Sequence, residues 1–224
     1  MTEPALALIE FDSIATGIQA GDAMVKTASI ARIVGGTVHP GKYLVMIAGD
    51  VGSVQESLAA GLAIGSSSVI DYVYLTGVHP DVPASIASAR QPELREALGI
   101  VETSSVSSAI HAADAALKSA QVTLLELRLA DGLGGKGLAF LCGSITDVEA
   151  ALDAATGAIA DSGHLLNAVV IPQLHPEMTE NLLGSTQFHT RASSARCVSH
   201  STHSTHDRDR FPAVPQVAPP SNNV

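Results

Sequence analysis

The chain repeats itself. Residues 5–28 (ALALIEFDSIATGIQAGDAMVKTA) and 97–120 (ALGIVETSSVSSAIHAADAALKSA) align at an offset of 92, with Glu10 on Glu102, Asp22 on Asp114, Lys26 on Lys118 and Ala28 on Ala120. Residues 43–61 (YLVMIAGDVGSVQESLAAG) align with 137–155 (GLAFLCGSITDVEAALDAA) at 94, and VHP at 78–80 with LHP at 174–176 at 96. An offset that grows in two-residue steps is what insertions in surface loops produce. A period this long means two globular domains, because solenoid units run only ~20–50 residues. The expected domains are 5–95 and 96–187, followed by a tail, 188–224.

Within the first copy, Leu6–Glu10 is an apolar run suited to a strand. Asp12 and Ser13 end it and can cap a helix, since a short side-chain oxygen accepts an orphan N–H of the first turn. Ile14, Ile18, Met24, Val25 and Ala28 then fall at helical spacing and predict one buried stripe. Ile30–Val34 and Tyr43–Ala48 read as strands, with Gly35 to Gly41 a loop between them. Asp50 opens a second helix to about Ile64, buried through Val51, Val54, Leu58 and Leu62, and Val69–Leu75 is the last strand. The second copy repeats the order at 99–102, 105–120, 122–129, 138–142, 145–160 and 168–171. The expected fold is α/β (α+β), two tandem ferredoxin-like βαββαβ domains. The helices are rich in alanine, which fits either plain helix propensity or close packing against neighbours.

Composition narrows function. Charged residues are 15% of the chain, against a usual ~25%. Net charge is −10, and because residues 188–224 hold four arginines against two aspartates, the rest carries −12. Such a body repels phosphate backbones, and with 3% aromatics it lacks the stacking residues of an RNA-binding sheet. So little polar surface suggests sides covered by copies of the same chain. No apolar run reaches the ~18 residues of a membrane span, and MTEPALALIE has no basic segment before an apolar one, so neither membrane nor secretion is expected. Cys142 and Cys197 are too few for a disulfide framework and read as reduced thiols of a cytoplasmic protein. No GxSxG, Walker loop, CxxC pair or HExxH is present, so no enzyme is expected.

The strings LIE…AGDAMVKTA and GKYLVMIAGDVGSVQESLAAG resemble the shell-protein domain of bacterial microcompartments. Two such domains in one chain resemble the tandem, trimeric type, which includes the propanediol-utilisation tandem shell protein with an iron–sulfur cluster at its pore. Glu10 and Lys26 precede the GDV segment, so the order looks unpermuted. The resemblance covers roughly residues 5–183. It implies a structural tile, a homotrimer mimicking a hexamer, that assembles with other shell proteins around encapsulated enzymes and passes metabolites, metal or electrons through a central pore.

By that resemblance the pore is lined by Val38, His39, Pro40 and Gly41 and by Gly132, Leu133, Gly134 and Gly135, and Lys26 and Lys118 meet neighbouring tiles at the edge. Where cluster-bearing relatives carry Cys before Pro-Gly, this chain carries His39, so no thiolate-held cofactor is expected. Three His39 imidazoles on an axis suit a transition metal, a gate titrating near pH 6.5, or a polar lining without an ion. Lys26 and Lys118 also suit plain helix-end cations. Gln173 stands where the edge motif often has Arg. His79 and His175 read as edge or turn residues before proline. The tail, with His189, His200, His203 and His206 among Ser, Thr and Pro, is expected to be disordered, its Arg208, Arg210 and Phe211 a candidate dock for cargo or another tile. The alternative is a small-molecule-binding regulatory protein on paired ferredoxin-like domains, which stops at a small closed oligomer instead of forming sheets.

Overall fold

The structure is a computed structural model and describes residues 4–87 and 94–184; the tail and its expected disorder, together with Cys197, lie outside the described residues. The first repeat contains β1 (Ala5–Phe11), α1 (Ile14–Thr27), β2 (Arg32–Val38), β3 (Lys42–Gly49), α2 (Val51–Gly65), β4 (Val69–Thr76) and a short α3 (Asp81–Ile86). The second contains β5 (Ala97–Thr103), α4 (Val106–Ser119), β6 (Thr123–Leu129), β7 (Gly137–Gly143), α5 (Ile145–Ala158), β8 (Leu165–Ile171) and α6 (Pro176–Leu183). Each sheet is antiparallel with equivalent strand order, β2-β3-β1-β4 and β6-β7-β5-β8.

Local chemistry sets the helix starts. Ser13 and Ser105 accept hydrogen bonds from the N–H groups of Thr16 and Ser108, and Asp50 and Ser144 do the same for Ser53 and Asp147. These satisfy orphan donors of each first turn. The Ser53 backbone and hydroxyl hold the Asp50 carboxyl below the ordinary range. Gly61 lets α2 lie against α1, since a Cβ there would come within 2.6 Å of Met24 Sδ.

One face of the first sheet packs Ile9, Phe11, Val45 and Ile47 against Met24, Val54 and Leu58 of its two helices. The larger core joins both repeats: Leu6, Leu8, Val73, Leu75 and Val82 of the first cluster with Ile110, Ala113, Leu124, Leu127 and Leu141 of the second. At roughly 1.5–3 kcal/mol per large apolar side chain, this shared core fixes the second repeat onto the first.

Three readings from the sequence need correction. The α1 face toward the core is Gly17, Ala20, Gly21 and Met24, whereas Ile14, Ile18 and Val25 are exposed. Small residues win that face because the sheet approaches closely there, with Tyr43 against Gly17. Val51 is likewise exposed at the start of α2. The expected loop from Gly35 to Gly41 is mostly strand, because Gly35–Val38 keep their ladder with β3 and leave only His39–Gly41 as the turn. The helices α3 and α6 were not expected; both are short and follow the VHP and LHP turns, where His175 caps α6 through its ring nitrogen.

Candidate functional site

The two expected pore loops meet. Val38 ends β2 and His39, Pro40 and Gly41 form the turn into β3, while Gly132, Leu133, Gly134 and Gly135 lie in the turn between β6 and β7. Asp131 Oδ1 accepts from the His39 backbone N–H at 3.1 Å and stands 3.3 Å from its Nδ1. Lys42 Nζ donates to the Gly135 carbonyl at 3.2 Å. Gly135 has φ +86°, and a Cβ on it would come within 2.8 Å of Pro40, so both conformation and proximity require glycine there.

Sequence reading missed Asp131, Lys42 and Glu10, although the repeat contained the signal. Register puts Asp131 where the first repeat has His39, since Val38 pairs with Lys42 and the matching Ala130 bonds Lys136. Glu10, fully buried, accepts from Lys42 Nζ at 2.5 Å and from the Val106 N–H at 2.8 Å, so a first-repeat carboxylate caps a second-repeat helix. The Asp71 carboxylate accepts from the hydroxyls of Ser105 and Ser108. Farther along α4, Asp114 accepts from the His79 N–H at 2.8 Å and from Lys118 at 2.5 Å. Leu127 N–H donates to Ser85 Oγ of α3 at 3.0 Å. These contacts form one seam: β4 and α3 of the first repeat against α4 and β6 of the second.

The surfaces of that seam recur once more, and among the described residues their apolar side chains are left exposed. Ile110 on α4 is 0% exposed and its repeat-mate Ile18 on α1 is 54%; Leu124 on β6 is 2% and Ile33 on β2 is 40%. Val82 on α3 is 0% exposed and Met178 on α6 is 54%. Val73 is buried and Val169 is exposed. Between α1 and β2 lies an open cleft of about 300 Å³, with Gly17, Ile18, Gly21, Val25, Ile33 and Gly35 among its lining. Its equivalent between α4 and β6 receives Val82 in the shared core.

Lys26 pairs with Asp22 at 2.5 Å at the exposed end of α1, and Lys118 pairs with the buried Asp114, so the two expected edge lysines have unequal settings. Cys142 joins neither loop. It sits in β7 among Leu98, Leu125 and Phe140, where burial pushes its thiol up against the opposing pull of Arg95. The iron–sulfur cluster of the family therefore does not fit the described residues: His39 occupies the loop position, and Cys142, the one described cysteine, is buried elsewhere. Among the described residues no three His, Cys, Asp or Glu side chains of one chain converge on a metal position. No described helix is long and apolar enough to cross a membrane.

Residues 5–89 and 97–174 each match the BMC domain family. The chain is 38% identical over 179 residues to the bacterial microcompartment shell protein PduT of Citrobacter freundii, across 80% of this chain and 97% of that one. It is 35% identical over 85 residues to the shell protein EutM of Salmonella typhimurium, across 38% of this chain and 86% of EutM. A crystal structure of a microcompartments protein from Desulfitobacterium hafniense superposes with a TM-score of 0.68 at 42% identity, covering 79% of this chain and 98% of that one. With two BMC domains in tandem, the chain belongs to the shell proteins of bacterial microcompartments, a structural and not a catalytic family.

Proposed function

We propose that three copies of the chain close into a six-domain tile through a second seam that repeats the internal one. The cleft of α1 and β2, matched to the plug of β8 and α6, both left uncovered by the described residues, carries this reading. A plug on one domain and a socket on the other make a heterologous contact, which forms a ring when its rotation closes. In that seam Met178 and Val169 enter the Gly17–Gly21–Gly35 cleft as Val82 and Val73 enter theirs. Asp22 then stands opposite the His175 N–H, as Asp114 does opposite His79.

Closure sets six turns around one axis. Val38, His39, Pro40 and Gly41 alternate with Asp131 and Gly132, Leu133, Gly134 and Gly135 along the rim of a central pore. Glycine backbones leave N–H and C=O groups open to a passing polar solute. Three His39 with three Asp131 offer imidazole nitrogen and carboxylate oxygen to a divalent transition cation. Lys26, at the free end of α1, and Lys118 sit at the tile edge and meet other shell proteins. The tile assembles with those proteins in the cytoplasm and contacts enclosed enzymes indirectly. Sedimentation of the full chain tests the ring, the expected mass being that of three chains; a monomer over the micromolar range refutes it. Lys26→Ala should keep that mass and abolish sheets in electron micrographs, and sheets that persist remove Lys26 from the edge.

A further inference from the structure

The non-helical faces of the two sheets carry equivalent positions but end differently. In the second domain Leu98, Leu125, Phe140 and Cys142 are buried together, with Leu94, Leu174 and Leu182 packed over them. In the first domain the same face is hollow. Leu6, Val34, Met46 and Ala48 line one side of a pocket of about 350 Å³, and Pro83 and Ile86 of α3 line the other. The cause is visible position by position: Met46 stands for Phe140, Ala48 for Cys142 and Val78 for Leu174, and Leu125 sits at a register shift that the first sheet lacks. One charged residue, Arg32, lines the pocket, where the second domain has Thr123. Among the described residues no carboxylate pairs with its guanidinium.

We propose that this pocket binds a free medium-chain aliphatic monocarboxylate, its chain on the apolar walls and its head on Arg32. A guanidinium offers paired N–H donors matched to carboxylate geometry. The volume lies within the roughly 300–1,000 Å³ of small-molecule sites. At roughly 30 Å³ per heavy atom, the share of one water in the liquid, it holds about ten such atoms, the size of octanoate. Apolar walls give water few partners, which favours an alkyl occupant. The site does not depend on ring closure: Arg32 and Val34 point to one face of β2, and Ile33 and Gly35 of the socket point to the other.

Calorimetric titration of the full chain with octanoate tests this. One octanoate per chain is expected, with hexanoate about fifteenfold weaker at roughly fourfold per methylene, and octanol weaker than octanoate. Arg32→Gln, a change at an exposed position, should erase the preference for octanoate over octanol. Met46→Phe, which copies the filled domain, should abolish binding of both while a thermal melt shows the fold intact. No binding, binding that never saturates at one per chain, or binding indifferent to Arg32→Gln each overturns the proposal.

Discussion

Helix α4 and helix α1 descend from one repeated segment, yet ten of the fourteen residues of α4 are buried and α1 shows Ile14, Ile18 and Val25 to solvent. The difference lies in what covers them. The first domain lays β4 and α3 over α4, and no element among the described residues does so for α1. In the proposed tile, this apolar surface, buried in one repeat and bare in the other, is where the next copy docks.

The strongest way to break that comparison is to charge the two plugs. Val82→Asp should lower the unfolding free energy of the single chain by about 3–5 kcal/mol, because a lone carboxylate would sit in a sealed core. Met178→Asp should leave the melt of the dilute chain unchanged and weaken ring closure at least a hundredfold, read by sedimentation, given ~2–3 kcal/mol for the lost apolar burial alone. Equal effects of the two variants on the melt would mean that the seams are unrelated.

Next come the carboxylates under the helix starts. Glu10→Ala strips a buried partner from Lys42 and Val106 and should cost about 3–5 kcal/mol in a urea melt. Glu102→Ala, which loosens a half-exposed pair with Lys136, should cost under ~1 kcal/mol there. The free seam also carries Asn167 where the internal one has Asp71. Asn167→Asp should tighten the ring by about 1–2 kcal/mol, roughly tenfold, by giving the Ser13 and Thr16 hydroxyls a charged acceptor. A ring unchanged in affinity would place Asn167 away from α1.

The smallest effect expected is at Cys142. Its thiol is raised by burial, so the stability it contributes is present below the ordinary thiol value and is lost as pH rises past it. Cys142→Ala, the residue its repeat-mate Ala48 already is, should flatten the alkaline decline in stability between pH 8 and 10. An unchanged slope would assign that decline to other groups.

The repeat, the strand order and the helix caps were legible in the sequence because they follow from local patterning: Ser13 and Asp50 announce their helices, and the offsets announce the duplication. The buried face of α1 was not. Periodicity marks Ile14 and Ile18 as apolar but cannot say whether the cover comes from the same chain or from another. Gly35–Val38 looked like a loop because glycine signals turns, whereas here Gly35 and Gly36 sit in a ladder against Val45 and Leu44. Of the proposed pore rim, resemblance supplied His39 and the glycines. Asp131 escaped because its kinship with His39 is one of position, not of type, and only the register of the strands reveals it.

The direction of the seam has a consequence for mixtures. In the proposed tile each chain joins one neighbour through its α6 end and another through its α1 side, and the two tasks are separable. A copy with Met178 damaged would still accept a healthy neighbour in its cleft but could offer nothing onward. Such a copy would act as a terminator, stranding healthy chains in incomplete arcs, so that a minority of damaged copies would deplete whole tiles out of proportion to their number.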